Sequence, residues 1–382
     1  NLWQEGESVV GSIRANNFSA RYSTNFKANV TGSITFELEA DDGYRFTVNG
    51  KEALNAWTRN RWGARTYRLQ TKKDSVYNLV VEYWQGEGKG NVRLSAGNYE
   101  RTNFAALVNR TKDADAFVFA GGISPQLEGE EMRVNYPGFN GGDRTSILLP
   151  AIQTELMKAL KSTGKPVVFV MMTGSAIAIP WEAENVPAIV NAWYGGQAAG
   201  TAVADILFGD YNPAGRLPVT FYKSDADLPP FTDYTMDNRT YRYFTGKPLY
   251  GFGYGLSYTT FRYDQLTVPA KAAAGKNVAL SVRVTNTGKM DGEEVVQLYL
   301  SNPNKSIKTP IKALKGFQRI HLKAGESQTV RFILSPEDLS YINAAGASVQ
   351  FKGNVELSAG GSQPDEAART SSNVVKKTLT IN

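Results

Sequence analysis

The sequence contains no cysteine and one histidine, His321. The first absence removes disulfides, thiolate catalysis and cysteine-ligated zinc, and the second removes histidine metal clusters and a Ser-His-Asp triad within the chain. No run of about 18 apolar residues occurs, so no membrane-spanning helix is expected. The net charge of +6 comes from Lys and Arg scattered among acids rather than gathered into a stripe, so nucleic acid is not an expected partner. Gly195-Gly196 precedes a helix-like run, but without GxGxxG or Walker spacing, which argues for close helix–sheet packing and against a phosphate cradle. Carboxylate chemistry, binding and scaffolding remain.

At 382 residues, the chain has room for two or three domains, and its 42% hydrophobic and 20% charged content is that of a globular protein. The opening residues, Asn1-Leu-Trp-Gln-Glu-Gly, show no basic or apolar leader and no initiator Met, so the chain reads as a processed piece of a longer polypeptide.

Hydrophobic periodicity divides it into three. Residues 1–100 carry short alternating segments, among them Ser33–Glu39, Tyr44–Val48, Thr66–Leu69 and Tyr77–Tyr83, separated by Asp-Gly and Asn-Gly turns, the pattern of an antiparallel sandwich. Residues 101–261 alternate apolar strand runs (Ala116–Ala120, Lys165–Met172, Ala188–Trp193) with helical runs (Asn103–Val108, Ile152–Leu160, Gly195–Phe208). That alternation predicts a mainly parallel sheet with helices on both faces. Residues 262–382 return to short alternating strands (Val278–Asn286, Glu294–Leu300, Thr329–Leu334, Gly353–Leu357), a second sandwich. The expected fold is therefore multidomain: an α/β sandwich flanked by two antiparallel β-sandwich modules.

One connection stands out. Between the strand at Ala116–Ala120 and the helix at Ile152 lie more than ~20 residues, where ~2–6 are usual, and connections of that length tend to carry function. It holds three carboxylates, Glu128, Glu130 and Glu131, and then an Asp143-Arg144 pair expected to pin its far end as a salt bridge.

These residues also carry a resemblance. Leu127-Glu-Gly-Glu130, Gly142-Asp-Arg144 with Leu149-Pro150 and Gln153, Trp193-Tyr-Gly-Gly-Gln-Ala-Ala-Gly200, Leu207–Thr220, Asn238–Phe244 and Pro248–Tyr258 together resemble family 3 glycoside hydrolases. Asp41-Asp-Gly-Tyr-Arg-Phe-Thr-Val-Asn-Gly50, with Phe18–Tyr22 and Glu82–Glu87, resembles the protective-antigen-type sugar-binding sandwich, without an evident opening strand. Residues 262–382, with Leu314–Arg319 and Ala324–Glu326, look like the fibronectin type III-like domain that closes many family 3 enzymes.

The resemblance implies a retaining exo-β-glycosidase with an acid/base glutamate on the α/β sandwich and an aspartate nucleophile on an N-terminal TIM barrel. Glu128 matches the acid/base position best, with Glu130 and Glu131 as alternatives. The barrel is absent from this sequence; its only Ser-Asp, Ser224-Asp225, is followed by Ala226 rather than the nucleophile's usual Trp, and the family's Lys-His pair is missing. The chain is thus expected to be the C-terminal part of a secreted or periplasmic bacterial β-glucosidase or β-xylosidase, inactive by itself. Its expected partners are a β-linked oligosaccharide and the N-terminal barrel portion of the same enzyme, and a homodimer is compatible with this reading. Neither cofactor nor metal is implied at the acid/base loop. Asp41-Asp42 has two readings: a calcium pair, as in some relatives of the sugar-binding sandwich, or a tight turn capping backbone N–H groups. Trp57 and Trp62 are expected to reach a substrate cleft on the aglycone side. A carbohydrate-binding protein without catalysis, or a scaffold, are the competing functions.

Overall fold

The computed structural model describes residues 2–3, 16–58, 63–88, 90–97, 103–130, 132, 134–364 and 372–382. The chain divides into two units, Asn1–Leu107 and Val108–Asn382.

In the first unit two four-stranded sheets face each other. One has the order β1 (Leu2–Trp3), β8 (Gly90–Gly97), β3 (Gly32–Ala40), β6 (Gly63–Thr71). The other has the order β2 (Phe18–Lys27), β7 (Val76–Gln85), β4 (Tyr44–Val48), β5 (Lys51–Ala56), and the described pairings are antiparallel. Alternation places Tyr44, Phe46 and Val48 of β4 inward, where they meet Phe36, Leu38 and Tyr83 in one core. The β4–β5 hairpin closes through Asn49 (φ 49°) and Gly50 (φ 75°), the two positive-φ positions of a type I′ turn, for which Asn-Gly is the favoured pair.

Asp41 and Asp42 sit in the β3–β4 turn and act as caps. Asp42 Oδ2 accepts the Gly86 amide at 2.6 Å. Asp41 Oδ1 accepts the Asp42 amide at 3.0 Å, the Asn91 amide at 3.2 Å and the Tyr83 hydroxyl at 2.7 Å. Burial pushes the Tyr83 hydroxyl pKa far up, and its bond to Asp41 adds to the rise. Among the described residues no group of three or more His, Cys, Asp or Glu side chains is placed to hold a metal ion.

The helix α1 (Phe104–Arg110) runs across the division in sequence, and the second unit holds a three-stranded parallel sheet of β9 (Phe117–Gly122), β13 (Val167–Met172) and β14 (Ala188–Asn191), with β13 central. Between β9 and β13 come a small antiparallel sheet, β10 (Asn135–Tyr136), β11 (Phe139–Asn140) and β12 (Asp143–Arg144), and the helix α2 (Ala151–Lys161). The helices α3 (Pro180–Asn185) and α4 (Ala199–Phe208) flank β14 in sequence.

The register aligns Phe117, Phe119, Val167, Phe169 and Met171 on one face of this sheet, where Met157 and Leu160 of α2 complete the core. Because β9, β13 and β14 lie in sequence order, right-handed crossovers carry α2 and α3 to the same side, and the two helices touch. The sequence predicts helices on both faces. In the structure the opposite face leaves Val118 58% exposed, and α4 has no buried side chain.

After the short helix α5 (Thr240–Tyr243) comes a second sandwich. Its three-stranded sheet is β15 (Phe261–Thr267), β17 (Val278–Asn286) and β20 (Ser327–Leu334). Its five-stranded sheet runs β16 (Lys271–Ala272), β24 (Val374–Ile381), β23 (Gly353–Gly360), β18 (Gly292–Ser301), β19 (Ala313–Leu322), and a two-stranded ribbon joins β21 (Ser340–Ile342) to β22 (Ser348–Gln350). His321 lies exposed on the edge strand β19. The sandwich is welded to the preceding α/β layer. Arg216 Nη2 meets Glu294 Oε2 at 2.6 Å with both side chains buried (6% and 0% exposed), and Tyr263 donates to Glu294 Oε1 at 2.8 Å. Gln297 Nε2 donates to the Gly253 carbonyl, and the Tyr241 ring stacks on Phe252 at 4.3 Å while its hydroxyl accepts the Leu314 amide.

Candidate active site

The three parallel strands end together, and the segments leaving their carboxyl ends converge. In parallel α/β sheets this is where ligands bind. At the end of β9 the chain turns at Gly122, whose φ is +126° and where a Cβ would come within 1.9 Å of the Met172 carbonyl oxygen, so only glycine fits. Gln153 of α2 reaches across to grip that residue from both sides: its Oε1 accepts the Gly122 amide and its Nε2 donates to the Gly122 carbonyl, each at 2.7 Å. Gln153→Ala should therefore cost about 1–3 kcal/mol by leaving two backbone groups unsatisfied. Urea denaturation measures that loss, and faster hydrogen exchange at the Gly122 amide should accompany it.

A tight turn follows, in which the amides of Leu127 and Glu128 both reach the Ser124 carbonyl, at 2.9 and 3.1 Å. This leaves Glu128 half-buried at the sheet edge, its Oε1 accepting from the Ser175 hydroxyl at 3.4 Å. Its other oxygen has no partner among the described residues. Glu130 is exposed, and Glu131 lies outside the described residues.

The rest of the loop folds back through β10–β12, with the Gly129 amide bonded to the Gly142 carbonyl and the Met132 amide to the Gly141 carbonyl. This return delivers Arg144. Its Nη1 donates to the Ser175 hydroxyl at 2.8 Å and the Ala176 carbonyl at 3.0 Å, and its Nε donates to the Ser146 carbonyl at 3.3 Å. Arg144 thus pins the loop, as the sequence reading expects of the Asp143-Arg144 pair, but through neutral groups of the next strand-to-helix segment. Asp143 points to solvent, since adjacent residues of a strand face opposite ways. The loop's far end is clamped instead by Asp225, which accepts the Ser146 hydroxyl and the Ile147 amide, both at 2.7 Å.

Arg144 Nη2 is buried without a partner among the described residues. Burial pushes the guanidinium pKa down, while the charges of Glu128 and Asp225, and Tyr194, pull it back up. The charge facing Glu128 from this side is therefore a cation, bridged to it by Ser175.

The third strand end supplies Tyr194. Its hydroxyl donates to the Ile123 carbonyl at 2.6 Å. Burial and the Glu128 carboxylate raise its pKa, against the Gly174 amide and Arg144. The arrangement is a carboxyl group with one oxygen steadied by a hydroxyl and the other without a partner among the described residues, the type of group that general acid–base catalysis uses. Both oxygens of Asp225 are occupied, so the described residues of this cluster contain one free carboxylate.

Trp57 lies just beyond β5 in the first unit, half-buried, with the Arg45 guanidinium 4.4 Å above its ring. Trp62 falls outside the described residues. Sequence reasoning missed Ser175 and Tyr194. The signal that finds them is positional, because each stands three residues beyond the end of a parallel strand, at Met172 and Asn191 respectively.

The site is thus an acidic loop over the carboxyl ends of a parallel sheet, in a chain whose last layer is a β-sandwich. The chain belongs to glycosyl hydrolase family 3: residues 8–258 match the family 3 C-terminal domain, and residues 294–363 match the fibronectin type III-like domain. It is 42% identical over 353 residues to a xylan 1,4-beta-xylosidase of Xylanibacter ruminicola, covering 91% of this chain and 40% of that protein. It is 41% identical over 250 residues to a periplasmic beta-glucosidase of Salmonella typhimurium, covering 62% of this chain and 31% of that protein. Among solved structures, the beta-glucosidase of Kluyveromyces marxianus superimposes with a TM-score of 0.73 at 28% identity, covering 96% of this chain and 46% of that one. The chain thus spans under half the length of these relatives. No helix among the described residues is long and apolar enough to cross a membrane.

Proposed function

We propose that this chain is the acid/base-bearing part of a retaining exo-β-glycosidase that releases terminal β-glucosyl or β-xylosyl residues from oligosaccharides. The observation that carries this is Glu128: a half-buried carboxyl with one oxygen unpartnered among the described residues, on a loop clamped at both ends, at the carboxyl edge of a parallel sheet. In such an enzyme Glu128 protonates the departing glycosidic oxygen and then, as a carboxylate, deprotonates the water that releases the sugar. Retention needs a second carboxylate about 5–5.5 Å from the first. We assign that nucleophile to the portion of the relatives' length outside the match, in the N-terminal barrel that the family resemblance implies.

On this reading residues 1–100 are a protective-antigen-type insert in which Trp57 and Trp62 serve the aglycone side. Residues 101–261 are the acid/base layer, and 262–382 are the closing sandwich. The periplasmic relative supports an exported protein.

The test is hydrolysis of nitrophenyl β-glucoside and β-xyloside by the full-length protein, with the anomer first released followed by proton NMR. The β-anomer, formed before mutarotation, is the expected product. An α-anomer refutes retention, and sugar binding without turnover favours a binding protein instead.

A further inference from the structure

The segment after β14 contains a backbone anomaly. Trp193 has φ 53°, in the left-handed region rarely adopted by a bulky residue. Strained positions of this kind cluster at functional sites. The effect is to split two neighbouring aromatic side chains. Trp193 packs into the core, edge-on to Phe221 at 6.2 Å, while Tyr194 remains 47% exposed beside Glu128.

Tyr194 is held firmly for so exposed a ring. Its hydroxyl is committed to the Ile123 carbonyl at 2.6 Å. One ring edge lies against Gly174, where a Cβ would come within 2.8 Å of Cε2, so a residue larger than glycine there would displace the ring. It pairs with no other ring among the described residues. With the hydroxyl and one edge engaged, what Tyr194 offers a ligand is a flat apolar surface at the sheet edge that presents the acid.

We propose that the Tyr194 ring is the stacking platform for the leaving-group sugar, the unit whose glycosidic oxygen Glu128 protonates; this rests on the glycosidase reading above. The ligand class follows from the surface. A flat aromatic face packs against the axial C–H bonds of a pyranose whose hydroxyls are equatorial, and an axial hydroxyl would be desolvated against it without a partner. Tyr194 therefore selects leaving groups of the glucose or xylose configuration. The leaving-group side is the consistent one, because the glycone is attacked from the face opposite its leaving group by the second carboxylate. Among the described residues around Tyr194 the second carboxylate is Asp225, and both its oxygens are engaged by Ser146 and Ile147, so the cluster supplies no such attacking group.

The experiment compares two substrates with one glycone, in the full-length protein: a β-linked disaccharide, and the matching β-glycosyl fluoride, which has no leaving-group ring. Tyr194→Ala should lower kcat/KM for the disaccharide by about tenfold or more, leaving the fluoride within about twofold. Tyr194→Phe, which keeps the ring, should stay within about threefold on both. Equal losses on the two substrates, no loss on either, or a phenylalanine variant as impaired as the alanine one overturns the platform. Glu128→Gln and the wild type are run alongside: a Glu128→Gln variant as active on the disaccharide as the wild type removes the acid from Glu128 and the platform with it, whereas a wild-type protein that hydrolyses neither substrate overturns the glycosidase reading itself.

Discussion

Glu128→Gln in the full-length protein is expected to lower kcat/KM for β-linked disaccharides and alkyl β-glycosides by about 10²–10⁴-fold, the range for loss of a positioned general acid. The amide preserves the size of the side chain and its contact with Ser175, so the fold should be unaffected. The loss should depend on the leaving group. A dinitrophenolate departs without protonation, so the first step survives on dinitrophenyl glycosides and the glycosyl-enzyme accumulates for want of a base to activate water. Azide needs no base, and should restore turnover while yielding the β-glycosyl azide. Glu130→Gln and Glu131→Gln distinguish the other carboxylates of the loop: each should remain within about threefold of wild type. A leaving-group-independent loss in Glu128→Gln, or azide rescue appearing in one of the other variants instead, would move the acid/base role away from Glu128.

Arg216→Ala should destabilise the second unit by about 3–5 kcal/mol at pH 7, because it strands the buried Glu294 carboxylate without its cation. Burial pushes the Glu294 pKa up, and Arg216, Tyr263 and Ser372 pull it back down. Without the guanidinium, the carboxyl holds its proton in the folded chain to higher pH than in the unfolded chain, where it titrates near ~4.3. Between those two values the folded state binds more protons, so the stability of the variant rises as pH falls, by up to about 1.4 kcal/mol per unit. Urea midpoints of variant and wild type should be furthest apart at neutral pH and converge toward pH 4.5. A gap independent of pH would mean that Glu294 is not the group left unpaired.

Elements were legible where the signal is local. Tyr44–Val48 alternates and ends in Asn-Gly, and the structure has that strand and that turn. The overlong connection after the first parallel strand was legible too, because length and acidity are properties of one segment. What the sequence hid was which groups meet across the loop. The Ser146–Asp225 bond joins residues 79 apart, and nothing in Ser224-Asp225-Ala226 announces a clamp. Arg144 and Asp143 are neighbours of opposite charge, which suggests a pair, but strand geometry points them apart and turns the arginine toward Ser175. Tyr194 was hidden by the backbone of Trp193, whose positive φ is not signalled by any glycine or asparagine.

The weld at Arg216 bears on modularity. A closing β-sandwich invites treatment as an appendage that could be trimmed or exchanged between relatives. Here the cation belongs to the α/β layer and the anion to the sandwich, and both are withdrawn from water. Cutting the chain after Thr260 would expose Arg216 and free the Gly253 and Tyr241 contacts in the same layer that carries Asp225. Recombination between relatives should therefore succeed only when Arg216 and Glu294 travel together, which makes the domain boundary a poor crossover point and the ion pair an inherited unit.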